Sequence, residues 1–132
     1  MGVDTIAPMV RLQHVALTFP PGDQDRVRAF YGDALGIPEM PVPDAVSPEL
    51  GWVWFATEDA SVELHFIPSA HAPDPAHIHH MCLEVPEIAP IAATLAGLGH
   101  AVTTAGTAIP GRERVFVRDP FDNLIELVAI TG

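Results

Sequence analysis

The chain has no lysine: its six basic residues are all arginines, set against 17 acidic ones for a formal net charge of −11. Such a balance repels phosphate backbones and anionic lipid surfaces, so nucleic acid and membranes are not expected partners. Long hydrophobic runs are missing too. None approaches the roughly 18 residues that cross a bilayer, although a hydrophobic content of 48% excludes a disordered chain. Cysteine is nearly absent: Cys82 stands alone, which excludes an intrachain disulfide and a thiolate metal cluster. Any metal must be held by nitrogen and oxygen. Met1 to Val10 lacks a basic start, an apolar core and a small-residue cleavage pattern, so no secretory signal is read there and a cytoplasmic location is expected.

What the chain does have is an internal repeat. His14-Val15-Ala16-Leu17 is echoed by His80-Met81-Cys82-Leu83, and Val62-Glu63-Leu64 by Ile125-Glu126-Leu127. His14 to Glu63 spans 49 positions (63 − 14) and His80 to Glu126 spans 46 (126 − 80). Gly36 and Gly99 each follow a helical pattern and each precede their glutamate by 27 positions, so the three extra residues lie before Gly36. With 132 residues, two halves of roughly 60 must pack together, since neither could bury a sufficient core alone.

Secondary-structure patterning agrees with the repeat. Arg11 to Phe19 alternates and reads as a strand, Pro20-Pro21-Gly22-Asp23 breaks it, and Asp25 to Leu35 carries Val27, Phe30, Tyr31 and Leu35 at helical spacing, capped by Gly36. A Pro-rich stretch (Pro38, Pro41, Pro43, Pro48) is too broken for helix. Leu50 to Thr57 and Ser61 to Ile67 then form a hairpin pattern around Glu58-Asp59-Ala60. The second half gives a strand over Ile78 to Val85, a helix over Glu87 to Leu98, and strands at Ala101 to Thr103, Arg112 to Arg118 and Leu124 to Ile130. The expectation is α+β: two tandem βαβββ modules over residues 10–67 and 78–131, with residues 68–77 as linker.

If the strands carrying His14, Glu63, His80 and Glu126 occupy equivalent places in two modules, their side chains can converge on one pseudo-symmetric point. Two imidazoles and two carboxylates suit one divalent ion, such as Ni, Co, Zn, Mn or Fe(II), and leave positions open for substrate oxygens. Without a cation the two carboxylates would meet at a desolvation cost.

Three segments carry a resemblance: Leu12-Gln13-His14-Val15-Ala16-Leu17, Ala29-Phe30-Tyr31-Gly32-Asp33-Ala34-Leu35-Gly36, and Asp119-Pro120-Phe121-Asp122-Asn123-Leu124-Ile125-Glu126-Leu127. The chain resembles the vicinal oxygen chelate superfamily, which includes glyoxalase I, fosfomycin-resistance transferases, extradiol dioxygenases, methylmalonyl-CoA epimerase and bleomycin-resistance proteins. The resemblance implies a curved, barrel-like mixed sheet around a metal cleft, a homodimer, and metal ligands at His14, Glu63, His80 and Glu126. In the dioxygenase and fosfomycin branches the position of Glu63 is not a ligand, and His14, His80 and Glu126 would serve alone. Asp122 stands where the family usually has Gly, a change that Asp tolerates in turns.

Glu63-Leu64-His65 offers two ligand candidates about 7 Å apart on one strand face, so His65 could replace Glu63 or act as a nearby base. Glu63, Glu126 and His65 are the candidate proton carriers. Trp52 and Trp54 share a face and could line an apolar substrate pocket, while Arg112 and Arg114 are candidates for gripping an anionic substrate. His71 and His77 read as loop residues, and His79 should point away from His80. The leading expectation is a metal-dependent glyoxalase-like lyase or isomerase acting on a small molecule with adjacent oxygens. The alternatives are an Fe(II) extradiol-type dioxygenase, and a metal-free protein that binds a drug or metabolite.

Overall fold

Alternation of apolar and polar residues builds two four-stranded sheets in the computed structural model, which describes residues 10–132; the stretch read as lacking a leader lies, but for Val10, outside the described residues. The first half runs β1 (His14–Phe19), α1 (Gln24–Val27) continuing as a π-helical segment (Arg28–Ala34), β2 (Glu39–Met40), a 3-10 turn (Pro48–Leu50), β3 (Val53–Ala56) and β4 (Glu63–Pro68). The second runs β5 (His80–Glu84), α2 (Ile88–Gly97), β6 (Val102–Thr104), β7 (Arg112–Arg118) and β8 (Leu124–Ile130). Strand orders are β1-β4-β3-β2 and β5-β8-β7-β6, with β1 parallel to β4, β5 parallel to β8, and the other neighbours antiparallel. Each half is thus βαβββ. Within one chain the sheets stay open, and β1 and β5 are each an edge strand.

Local differences from the sequence reading have physical causes. The single helix expected over residues 25–35 changes pitch at Arg28, where bonds from Leu35 N–H to Phe30 O and from Ile37 N–H to Tyr31 O mark the wider turn. Phe30 and Tyr31, neighbours in sequence, are both buried there. Strand β2 was not anticipated in the Pro-rich stretch. It is only two residues long and lies at the sheet edge, where flanking prolines remove no ladder bond. Pro68, read as linker, closes β4.

Both halves contribute to one core. Leu17, Phe19, Val53, Phe55, Leu64 and Phe66 from the first sheet join Val115, Val117, Ile125 and Leu127 from the second. A polar latch crosses the same junction. The Tyr31 hydroxyl donates to Asp119 Oδ2 at 2.6 Å, and Asn123 Nδ2 donates to Thr18 O at 3.0 Å and to Asp119 Oδ2 at 2.8 Å. Asp119 Oδ1 accepts the backbone N–H groups of Phe121 and Asn123, both at 2.9 Å. Burial pushes the Asp119 carboxyl up. It also raises the Tyr31 phenol well above its usual range, with the Asp119 charge adding to it.

The 119–123 turn needs a left-handed residue, and Asp122 supplies it with φ 71°. Its carbonyl accepts from Arg118 at 3.0 Å and lies 3.1 Å from His77 Nε2, and Arg118 also donates to His77 O at 2.7 Å. His77 is thereby anchored. Asp122→Gly keeps that carbonyl and relieves the left-handed strain, so it is expected to raise stability by about 0.5 kcal/mol in denaturant unfolding. A loss of stability would show that the Asp122 side chain contributes more than its backbone costs.

Candidate functional site

Strand alternation turns the faces opposite the core outward, and these faces carry the chemistry. On the first sheet, β1–β4 pairing sets His14 level with Glu63 and Ala16 level with His65, and β3–β4 pairing sets Trp54 beside His65. His14 Nδ1 lies 2.6 Å from Gln13 Oε1; since that oxygen can only accept, Nδ1–H is the donor, and in the neutral ring Nε2 keeps the free lone pair. His65 Nε2 lies 2.9 Å from Glu63 Oε1. The His65 hydrogen bond holds the Glu63 carboxyl below its ordinary range. His65 itself is buried, while His14 is exposed.

The second sheet carries the other pair. His80 Nδ1 lies 2.8 Å from the carbonyl of Ile78, and His80 Nε2 lies 2.9 Å from Glu126 Oε1. Arg114 Nε donates to Glu126 Oε2 at 2.7 Å, and Arg114 Nη1 donates to Thr107 O at 2.7 Å. Arg114 is therefore engaged by Glu126, whereas Arg112 is exposed and forms no ion pair among the described residues. Burial pushes the Glu126 carboxyl up, but the bonds from Arg114 and His80 outweigh it and leave it below its usual range. Cys82 is level with Glu126; burial and that carboxylate push its thiol up to about 11, so it is a thiol near neutral pH.

Thus the four candidate ligands come together in twos, His14 with Glu63 and His80 with Glu126, on separate sheets. Among the described residues no three His, Cys, Asp or Glu side chains gather at metal-binding distance. The halves are also staggered: His14 is level with Glu63, but His80 is level with Leu124, and Glu126 is level with Cys82. By count from the glycines Glu63 matches Glu126; by strand level His65 does. A cleft of about 610 Å³ between the halves is lined largely from the core side, by Val15, Leu64, Met81, Leu83 and Leu127, with the outward Cys82 and Glu84 at its rim.

The sequence profile of the Glyoxalase/Bleomycin resistance protein/Dioxygenase superfamily matches residues 11–127. The chain belongs to that superfamily. No curated protein sequence matches it significantly. Among solved structures it is similar to a protein assigned to the glyoxalase family from Bacillus anthracis, at 28% identity and TM-score 0.80, covering 96% of this chain and 99% of that one. It shares its fold with TnmS3, an antibiotic binding protein from Streptomyces sp. CB03234, at 20% identity, TM-score 0.67, and 95% and 99% coverage. The fold is shared too with a variant of the fosfomycin resistance protein FosX from Listeria monocytogenes, complexed with Mn(II) and 1S,2S-dihydroxypropylphosphonic acid (16% identity, TM-score 0.76, 94% and 95% coverage). No helix among the described residues is long and apolar enough to cross a membrane.

Sequence reasoning missed three features of this superfamily member. Gln13 fixes the tautomer of His14, Arg114 binds a candidate ligand rather than standing free, and Tyr31 reaches across to Asp119. The first is an adjacent residue and could have been read as an orienting partner. The others span 12 and 88 positions and leave no local signal.

Proposed function

We propose that this chain is a metal-dependent enzyme, a glyoxalase-like lyase or isomerase acting on a small molecule that offers adjacent oxygens, with each site completed across a homodimer. The observation that carries the metal reading is at His80. Its Nδ1–H is committed to the Ile78 carbonyl, so Nε2 meets Glu126 Oε1, 2.9 Å away, only through a second ring proton or a metal ion. Two acceptors at that distance call for a cation between them, either a proton or a metal ion. A nitrogen–oxygen donor set suits a borderline divalent ion such as Ni, Co, Zn, Mn or Fe(II).

The orientation of the faces supports the dimer. Both ligand pairs lie on faces turned away from the shared core, so within one chain they do not converge; a second copy can oppose His14 and Glu63 to His80 and Glu126 of its partner. Held there by His14, Glu63, His80 and Glu126, a divalent ion would supply Lewis-acid stabilisation of developing negative charge. Gln13 and the Ile78 carbonyl orient the two imidazoles. Glu63 and His65, 2.9 Å apart, form the pair that takes a proton from the substrate carbon and returns it. Arg112, exposed and outside any ion pair among the described residues, is the candidate for meeting an anionic group.

The test is elemental analysis of protein purified without added metal or affinity tag. About one equivalent of transition metal per chain is expected, with loss in both His14→Ala and Glu126→Ala. Refolding the two variants together should restore roughly one site in four, because half the dimers are mixed and each mixed dimer holds one intact pairing. No recovery of metal in the mixture would place the site within a chain. No metal in any sample, even after reconstitution, would favour a metal-free binding protein. That second reading draws support from the mutual pairing of His65 with Glu63 and of Arg114 with Glu126, which satisfies these groups without an ion.

A further inference from the structure

Two histidines at the end of the linker take no part in the candidate centre. His77 is fixed at three points: its backbone N–H donates to Asp74 O at 3.0 Å, its carbonyl accepts from Arg118 Nη2 at 2.7 Å, and its ring Nε2 lies 3.1 Å from Asp122 O. A carbonyl only accepts, so Nε2–H is the donor, and in the neutral ring Nδ1 keeps the free lone pair. The ring of His79 stands 6.4 Å from that of His77, with the two planes inclined by 21°. His79 is exposed and makes no side-chain hydrogen bond among the described residues. The neighbouring His80 ring is engaged elsewhere, edge-on to Phe116 and 2.9 Å from Glu126. The His77 and His79 pair is therefore separate from the candidate centre.

We infer that His77 and His79 form a second metal site, which holds a borderline divalent ion such as Cu(II), Ni(II) or Zn(II) through two imidazoles, with water in the remaining positions. A metal–nitrogen bond of about 2 Å sets an ion roughly 3 Å from each ring centre, so two rings that share an ion stand up to about 6 Å apart. The observed 6.4 Å lies just beyond that reach, and rotation of the exposed His79 side chain closes the gap. Only that one side chain has to be ordered. Asp122 and Arg118 already hold the other, which reduces the entropic cost of binding. A net charge of −11 without a single lysine also favours cations at the surface. Imidazole donors suit Cu(II), Ni(II) and Zn(II), whereas Mn(II) prefers carboxylate and water and stands at the bottom of the affinity order. The inference shares no residue with the proposed function and does not depend on it.

The experiment titrates the untagged full chain with Cu(II), and separately with Mn(II), by calorimetry in a background carrying both His14→Ala and Glu126→Ala. That background disables the candidate centre, so its failure or success leaves the result untouched. One equivalent of Cu(II) is expected, with the nitrogen hyperfine pattern of two imidazoles in its EPR spectrum, and Mn(II) should bind at least tenfold more weakly. Adding His79→Ala or His77→Ala should each weaken Cu(II) by roughly tenfold or more, and adding both should cost no more than either, because one ion needs both rings. His71→Ala, in the same linker, should leave the affinity unchanged. His79 is exposed, so His79→Ala is expected to keep the Tm of the metal-free protein and to separate ligand loss from misfolding. Cu(II) binding unaffected by His79→Ala, or weakened as much by His71→Ala, would overturn the paired site. Mn(II) held as tightly as Cu(II) would overturn it too.

Discussion

Asp119→Ala is expected to lower stability by about 3–4 kcal/mol, a large share of what a domain of this size has. The carboxylate accepts the Tyr31 hydroxyl, the Asn123 amide and two backbone N–H groups, and its removal strands a buried phenol and two turn donors. The damage falls on the junction between halves, so thermal unfolding should move down by roughly 10 °C or more and remain one transition. Tyr31→Phe removes a single donor and should cost only about 1–2 kcal/mol. A fall below about 1 kcal/mol for Asp119→Ala would mean that water replaces the latch at little cost.

The same group has a pH signature. Its folded carboxyl is raised above the unfolded value near 3.9, so the folded state takes up this proton first as pH falls, and folding gains from Asp119 between the raised value and the unfolded one. Glu63 and Glu126 have the opposite sign. Their lowered carboxyls contribute stability above the ordinary glutamate range and lose it as pH falls through the folded values. Asp119→Asn should therefore be most disadvantaged relative to the parent at mildly acid pH. Urea midpoints across pH 4 to 7 for both proteins check this, and a gap that narrows on acidification would contradict it.

Changes at Arg114 and Glu126 should have the largest effect on metal. Glu126→Ala removes a candidate ligand and leaves the Arg114 guanidinium without its carboxylate, so metal affinity should fall by on the order of a hundredfold or more. Arg114→Gln keeps the candidate ligand but frees Glu126 Oε2 and releases the tie to Thr107 O, and a loss of roughly ten- to a hundredfold is expected. Competition with a metal-sensitive dye measures both. Arg114→Gln binding metal more tightly than the parent would show instead that Arg114 competes with the ion for the carboxylate.

Much of this was legible in the sequence because it is local or periodic. The twofold βαβββ pattern is carried by alternation, by Gly36 and Gly99, and by the paired His and Glu echoes. The charge balance and lone cysteine narrowed the possible partners and donor types before any fold was known. Neighbours along a strand, such as Glu63 and His65 or Trp52 and Trp54, could be placed on one face by count alone.

Tertiary structure decided the rest. That both sheets turn their apolar faces to one core, leaving the candidate ligand pairs on outward faces, depends on how the halves pack, and both packings have the same periodicity. Strand level is similar: the stagger that sets Cys82 beside Glu126 comes from the β5–β8 hydrogen bonds, which local side-chain patterns do not specify. Tyr31 meets Asp119 across 88 positions because the widened turn after Arg28 buries it at the junction. Residues that chemistry would class alike, Arg112 and Arg114, were separated only by geometry: one faces solvent, and the other holds Glu126.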